Sequence, residues 1–200
     1  MIVIVDFGMG NTGSVLNIIK KVGGSAIVSS NMADIQNATK LIFPGVGSFD
    51  TGMRNLKKLG LIEVLSDAVL NKKKMILGIC LGLQLFSKTS EEGELAGLGW
   101  INAKTVKFQG ITLPVPHMGW NHVSRKKAHF ILDGLDNASR FYFVHSYHLI
   151  TDNSDIVVGT SYYAYDFTSI VAQGNILGVQ FHPEKSHKYG YQLIRNFINA

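Results

Sequence analysis

Cys80 is the single cysteine in 200 residues, and it stands at the centre of Gly78-Ile79-Cys80-Leu81-Gly82. The apolar run Met75-Ile76-Leu77 leads into it, and a helix-like pattern leads out through Leu83 and Leu85. This is the layout of a nucleophile elbow with sulphur as the nucleophile. A tight strand-to-helix turn strains the backbone of its central residue, and glycines two before and two after leave room for neighbouring backbone and substrate. At a helix N-terminus a thiol meets the positive end of the helix dipole, which favours the reactive thiolate. The competing reading is a buried structural cysteine, since free thiols are among the most buried side chains. The paired glycines weigh against it.

A base follows a second apolar strand. In Gly178-Val179-Gln180-Phe181-His182-Pro183-Glu184, a histidine ends the strand and a carboxylate comes two residues later. Proline fixes its own φ and pushes His182 toward extended geometry, where residues i and i+2 face the same side. Glu184 can then hold the far ring nitrogen of His182, set its tautomer and stabilise the imidazolium. The alternative is a surface histidine at a strand end; the chain has six others. A third segment, Leu41-Ile42-Phe43-Pro44-Gly45-Val46-Gly47, is a strand running into a glycine-rich loop. Attack on an amide creates an oxyanion, and the backbone N–H groups of Gly47 and Leu81 are candidate donors to it. A plain strand-to-helix turn would use the same residues.

These side chains need elements to position them. In the first half, Ile2–Asp6, Ala26–Ser29, Leu41–Phe43 and Met75–Ile79 read as buried strands. Ser14–Val22, Met53–Lys58 and Leu61–Leu70 have helical spacing between them. That alternation predicts right-handed βαβ units and a parallel sheet. In the second half, Phe141–Ser146, Ile156–Tyr162, Ile170–Gln173 and Ile176–Gln180 lie close together and read as antiparallel strands added to that sheet. A final helix spans Tyr189–Ile198. The expected class is α/β: one domain over residues 1–200, with a mixed, mostly parallel central sheet flanked by helices.

Composition narrows the function. The chain is 46% hydrophobic and 16% charged, with a net charge of +5, ordinary values for a globular protein. No apolar run reaches the length of a membrane span. The N-terminus reads as a first strand and not as a signal peptide. A lone cysteine excludes an internal disulfide and fits a reducing cytoplasm. The basic runs Lys72–Lys74 and Arg125–Lys127 lack the interleaved aromatics of a nucleic-acid groove and read as solvated loop ends. The seven histidines are scattered without ligand spacing, so no metal or cofactor is expected. Gly8-Met9-Gly10-Asn11-Thr12-Gly13 spells a dinucleotide fingerprint, but the second strand ends Ser29-Ser30-Asn31 with no acid for a ribose. It reads as a tight strand-to-helix turn.

Together the three motifs resemble those of the class I (triad) glutamine amidotransferases, over nearly the whole chain. Within that family the resemblance is to the glutaminase subunits of imidazole glycerol phosphate synthases. Asp6–Asn11, Pro44–Gly47 with its Gly-Val-Gly form, Pro116–Asn121 and Phe141–Tyr147 carry it. The resemblance implies a γ-glutamyl thioester on Cys80, with His182 as base and then acid and Glu184 as orienter. It implies that Gly45, Gln84, Glu92, Ser146 and Tyr147 contact glutamine. It further implies a heterodimer with a (β/α)8 barrel cyclase that uses the ammonia in histidine biosynthesis. Asn11, His117, Trp120, Asn121, Tyr142 and Lys185 would lie near that interface. The stretch His182–Gly190 also resembles paralogous subunits that feed sugar amidotransferases in surface-polysaccharide synthesis. A stand-alone γ-glutamyl hydrolase and a catalytically silent interaction subunit are the rivals from other classes.

Overall fold

The computed structural model describes all residues, Met1–Ala200. Four apolar strands, β1 (Ile2–Val5), β2 (Ala26–Ser29), β3 (Lys40–Gly45) and β4 (Met75–Cys80), pair in parallel in the order β2-β1-β3-β4. The links between them are α1 (Thr12–Lys21), α2 (Met32–Asn37) and the successive pair α3 (Phe49–Lys58) and α4 (Leu61–Ser66). After α4 the chain continues through one wide helical turn, Asp67–Asn71. The expected βαβ half is therefore present, with α2 as an additional short helix that the spacing of apolar residues had not marked.

Side-chain alternation along these strands builds two cores. Val3, Val5, Leu41 and Phe43 face the side covered by α2, α3 and α4, where Ile35, Leu56 and Leu65 are fully buried. Ile2, Ile4, Ile42 and Leu77 face the other side, covered by α1 and α6 (His187–Asn199) through Val15, Ile19, Leu193 and Phe197. Asn11 starts α1 by accepting the Ser14 N–H at 3.3 Å. Its neighbour Gly10 sits at φ 144, where a Cβ would lie 2.6 Å from the Pro44 carbonyl oxygen. The middle glycine of the fingerprint-like stretch thus serves a close approach between turns.

The second half follows in order. β5 (Thr89–Ser90) comes after α5 (Leu81–Gln84), then β6 (Lys104–Lys107), β7 (His117–His122), β8 (Ser124–Arg125), β9 (Arg140–His145), β10 (Tyr147–Ile150), β11 (Val157–Tyr163), β12 (Tyr165–Gln173) and β13 (Ile176–Val179). The large sheet continues β4-β13-β12-β10-β6-β5, with β11 attached to β12 and β8 to β11. Two expectations need correction. β13 is parallel to β4, not antiparallel, although it is antiparallel to β12. And β9 leaves the large sheet altogether to pair with β7 in a separate two-stranded sheet. Its alternation Phe141, Phe143, His145 inward is that of a strand with one buried face, and periodicity cannot tell which sheet that face will cover.

Candidate active site

The C-terminal ends of β3, β4 and β13 lie side by side, since Gly45 pairs with Cys80 and Val179 with Ile79. Ligands of open parallel sheets bind at this edge. Cys80 ends β4 at φ 53, ψ −111 and is followed at once by α5. Such a φ is rare for a side-chain-bearing residue and marks a stored strain. The flanking glycines are required by packing. A Cβ on Gly82 would lie 1.8 Å from the Phe43 carbonyl oxygen, and one on Gly78 would lie 2.6 Å from the Phe86 ring. The elbow inferred from Gly-x-Cys-x-Gly is thus the local geometry.

His182 reaches the same place from the end of β13. Its backbone is pinned by the small sheet: His182 N–H donates to the Tyr142 carbonyl at 2.9 Å, and Ser186 Oγ donates to the His182 carbonyl at 2.6 Å. Nδ1 of the ring lies 2.8 Å from Glu184 Oε1, and both side chains are nearly inaccessible to water. The contact is the expected one, but the backbone that makes it is not extended throughout; Pro183–Lys185 forms a single 3-10 turn. Nε2 of His182 has no hydrogen-bond partner within the chain. Burial alone would lower the pKa of this ring. The charge and sulphur of adjacent Cys80 and then the Glu184 carboxylate outweigh it, pushing the ring up to about 10.

Cys80 and His182 share a cavity of about 370 Å³ whose wall also includes Gly47, Leu81, Gln84, Glu92, Ser146 and Tyr147. Gly47 is at φ 105 and its N–H makes no hydrogen bond within the chain. Gln84 donates through Nε2 to the Tyr147 carbonyl at 3.0 Å. Glu92 accepts the Phe49 N–H at 2.8 Å. Burial raises the pKa of Glu92, the Phe49 hydrogen bond opposes that, and the Asp50 charge adds to it.

Two residues expected near the substrate or the partner are buried. Gly45 is buried, and a Cβ there would meet Gly82 N at 2.8 Å, so the glycine permits a close approach of the Gly82 backbone. His117 is only 3% exposed, its ring against Phe143 and Tyr163, while Trp120 on the same strand is exposed. Trp120, Tyr142 and Lys185 do come together. Trp120 stacks on His187 at 5.4 Å, meets Tyr142 edge-on at 6.2 Å, and Lys185 Nζ lies 5.7 Å from the Tyr142 ring centre. Asn121 bridges β7 to the Tyr162 carbonyl at 2.9 Å.

Sequence reasoning missed Gln180. Its Nε2 lies 3.7 Å from Cys80 Sγ, and its Oε1 accepts from Gln84 at 3.2 Å. The signal was present: Gln180 stands two residues before His182 in a strand-like segment, which puts both on one side. Asp50 was missed as well. It accepts the N–H groups of Glu94 and Leu95 and so holds the loop that carries Glu92.

The arrangement sets a cysteine thiol beside a histidine–carboxylate pair at the edge of an α/β sheet. The family model "Glutamine amidotransferase class-I" matches residues 3–200. Imidazole glycerol phosphate synthase subunit HisH 2 of Methanococcus maripaludis is 54% identical over 199 residues, covering 99% of this chain and 98% of the relative. The HisH 2 subunit of Pseudomonas aeruginosa is 50% identical with the same coverage. A solved structure of a glutamine amidotransferase from Thermotoga maritima shares the fold, with TM-score 0.63 and 16% identity over 99% of this chain and 82% of that one. The chain belongs to the class I glutamine amidotransferase family. Within that family its full-length relatives include the HisH subunits.

Proposed function

We propose that this chain is the glutaminase subunit of an imidazole glycerol phosphate synthase, hydrolysing glutamine through Cys80 and delivering ammonia to a cyclase subunit. The observation that carries this reading is Cys80 at φ 53 in a cavity shared with His182, whose Nε2 is unpaired and whose Nδ1 is held by Glu184. The sequence similarity to HisH subunits supplies the pathway.

In this reading the Cys80 thiolate attacks the side-chain carboxamide carbon of glutamine. Collapse of the tetrahedral adduct breaks the C–N bond while protonated His182 gives its Nε2 proton to the leaving nitrogen. Ammonia departs, and a γ-glutamyl thioester remains on Sγ. Neutral His182 then takes a proton from water as its oxygen adds to the thioester carbon. Sγ leaves as thiolate and glutamate is released, with the proton again on Nε2. A ring pKa pushed up to about 10 suits the first half, in which His182 must start protonated. Glu184 keeps the ring oriented throughout. The oxyanion is met by the N–H groups of Leu81 and Gly47, and Gln84, Glu92, Ser146 and Tyr147 take the amino-acid end of the substrate.

The free N–H of Gly47 also offers control. If the Val46–Gly47 peptide rests turned away, the oxyanion lacks one donor, at a cost of roughly a hundred- to a thousandfold in rate. A partner carrying its acceptor would favour the turned form by its differential affinity. That partner is a (β/α)8 barrel cyclase, docked on the face bearing Trp120, Asn121, Tyr142 and Lys185 near Asn11, in the cytoplasm. The test is glutamine turnover by the chain alone, with empty cyclase, and with cyclase plus acceptor. Weak, intermediate and strong turnover are expected in that order. Equal turnover in all three favours a stand-alone hydrolase, and none in any favours a silent subunit. The second reading, that of a paralogous subunit serving a sugar amidotransferase, rests on the resemblance of the stretch His182–Gly190 to such subunits. Stimulation by a sugar amidotransferase and not by the cyclase would select it.

A further inference from the structure

Beyond the proposed catalytic groups, His117, His145 and His148 form a buried cluster around Phe108 and Phe167. Burial pushes His117 down to about 4 and His145 down to about 3. Both rings are therefore neutral at ordinary pH, and a neutral imidazole donates from one nitrogen and accepts at the other.

Their neighbours fix which nitrogen does which. His145 Nδ1 lies 2.8 Å from the Tyr147 carbonyl oxygen, which can only accept, so Nδ1 carries the proton. His145 Nε2 then accepts, and the atom 3.0 Å from it, His117 Nδ1, must donate. That leaves His117 Nε2 as an acceptor, and Asn121 Nδ2 donates to it at 3.2 Å. The other hydrogen of the same amide goes to the Tyr162 carbonyl. Asn121 Oδ1 accepts the His122 N–H, which fixes the amide's orientation too. Donors and acceptors thus match in one direction only, from Asn121 through His117 and His145 to Tyr147.

The end of this chain is not arbitrary. The Tyr147 carbonyl also accepts from Gln84, which donates to Gln180, whose Nε2 points at Cys80 Sγ. Ser146 lies between β9 of the small sheet and β10 of the large one, so this wall of the cavity is a junction between sheets. The two histidines tie that junction from the small-sheet side.

We propose that His117 and His145 are positioning residues for the glutamine cavity: a one-way hydrogen-bond chain from Asn121 that sets the Tyr147 carbonyl and the Ser146–Tyr147 wall against which the substrate's amino-acid end rests. The inference rests on the glutaminase reading and adds to it a role for buried groups that the chemistry itself does not use. His117→Phe keeps the size and apolar contacts of the ring but removes the donor to His145. Losing a buried hydrogen bond and orphaning its acceptor raises the glutamine KM of the cyclase complex by roughly tenfold, with kcat within about threefold.

Nitrogen NMR of the unmutated chain, labelled at the histidine rings, reads the chain of protons directly and decides the matter even if the variant does not fold. Both His117 and His145 are expected as Nδ1–H tautomers, and glutamate is expected to shift the His145 signals on binding. An Nε2–H tautomer on either ring, or a KM for folded His117→Phe within about twofold of the parent, overturns the proposal. If the unmutated complex hydrolyses no glutamine, the glutaminase reading itself fails and the inference falls with it. Turnover with an unchanged KM removes the positioning role alone.

Discussion

Burying neutral histidines makes the fold sensitive to acid in a way that can be worked out for His117. An unfolded histidine has a pKa of about 6.5, whereas folded His117 sits at about 4. The folded-state value is the lower one, so the unfolded chain binds the extra proton between these limits. Stability is full above about pH 6.5, falls as pH drops through that window, and levels off below about 4. At about pH 5 the unfolded ring is almost wholly protonated and the folded ring is about nine-tenths neutral. The ratio of the two binding factors is roughly thirty, worth about 2 kcal/mol. The ring is 3% exposed, so solvent screening does little to reduce this. The assay is urea unfolding of the parent and of His117→Phe at about pH 7.5 and about pH 5. The groups against the ring are His145, Phe143, Tyr163 and Asn121; the one histidine among them, His145, is pushed down to about 3 by burial and stays neutral at both pH values. The parent should lose about 2 kcal/mol more than the variant between the two pH values. Equal losses would mean that His117 is not buried neutral and would refute the reasoning.

Other substitutions probe the site itself. His182→Asn should lower kcat by about a hundred- to ten-thousandfold, because both proton transfers use its Nε2. Glu184→Gln should cost less, since it only holds the ring; equal losses in steady-state turnover would contradict that division of roles. Gly82→Ala places a methyl 1.8 Å from a backbone oxygen that cannot step aside, and should destabilise by about 3 kcal/mol or more in denaturant unfolding, whereas an unchanged midpoint would deny the elbow geometry. Gly47→Ala meets only the flexible end of Met9, but it sits at φ 105, a backbone region that suits glycine. It should blunt stimulation by the cyclase more than it raises glutamine KM, which turnover with and without the partner will show.

The proposed nucleophile and its base were legible because each depends on local sequence. A glycine-flanked turn after an apolar strand can be read from five residues, and the His182–Glu184 pair from three. The parallel half of the sheet was legible for a related reason, since strands buried on both faces are continuous apolar runs. What local pattern could not supply was the partner of each strand. β9 has the alternation of a one-sided strand wherever it is placed, so its departure to the small sheet was invisible. So was the inward turn of His117, which sits between the exposed Pro116 and the exposed Met118 and is drawn in by the pleat of β7. Gly45, expected at the substrate, packs under the cavity, and a glycine near a cavity and a glycine under one look alike in sequence. Only the Gly82 backbone packed against it distinguishes them.

The central claim is that glutamine is cleaved through a covalent bond to Cys80. Rapid acid quench of the chain with its cyclase during glutamine turnover, followed by peptide mass spectrometry, tests it directly. The account predicts a γ-glutamyl adduct on the peptide that contains Cys80, absent without glutamine and absent in Cys80→Ala, which should not turn over glutamine at all. Glutamine turnover by Cys80→Ala, or an adduct on any other residue, would contradict it.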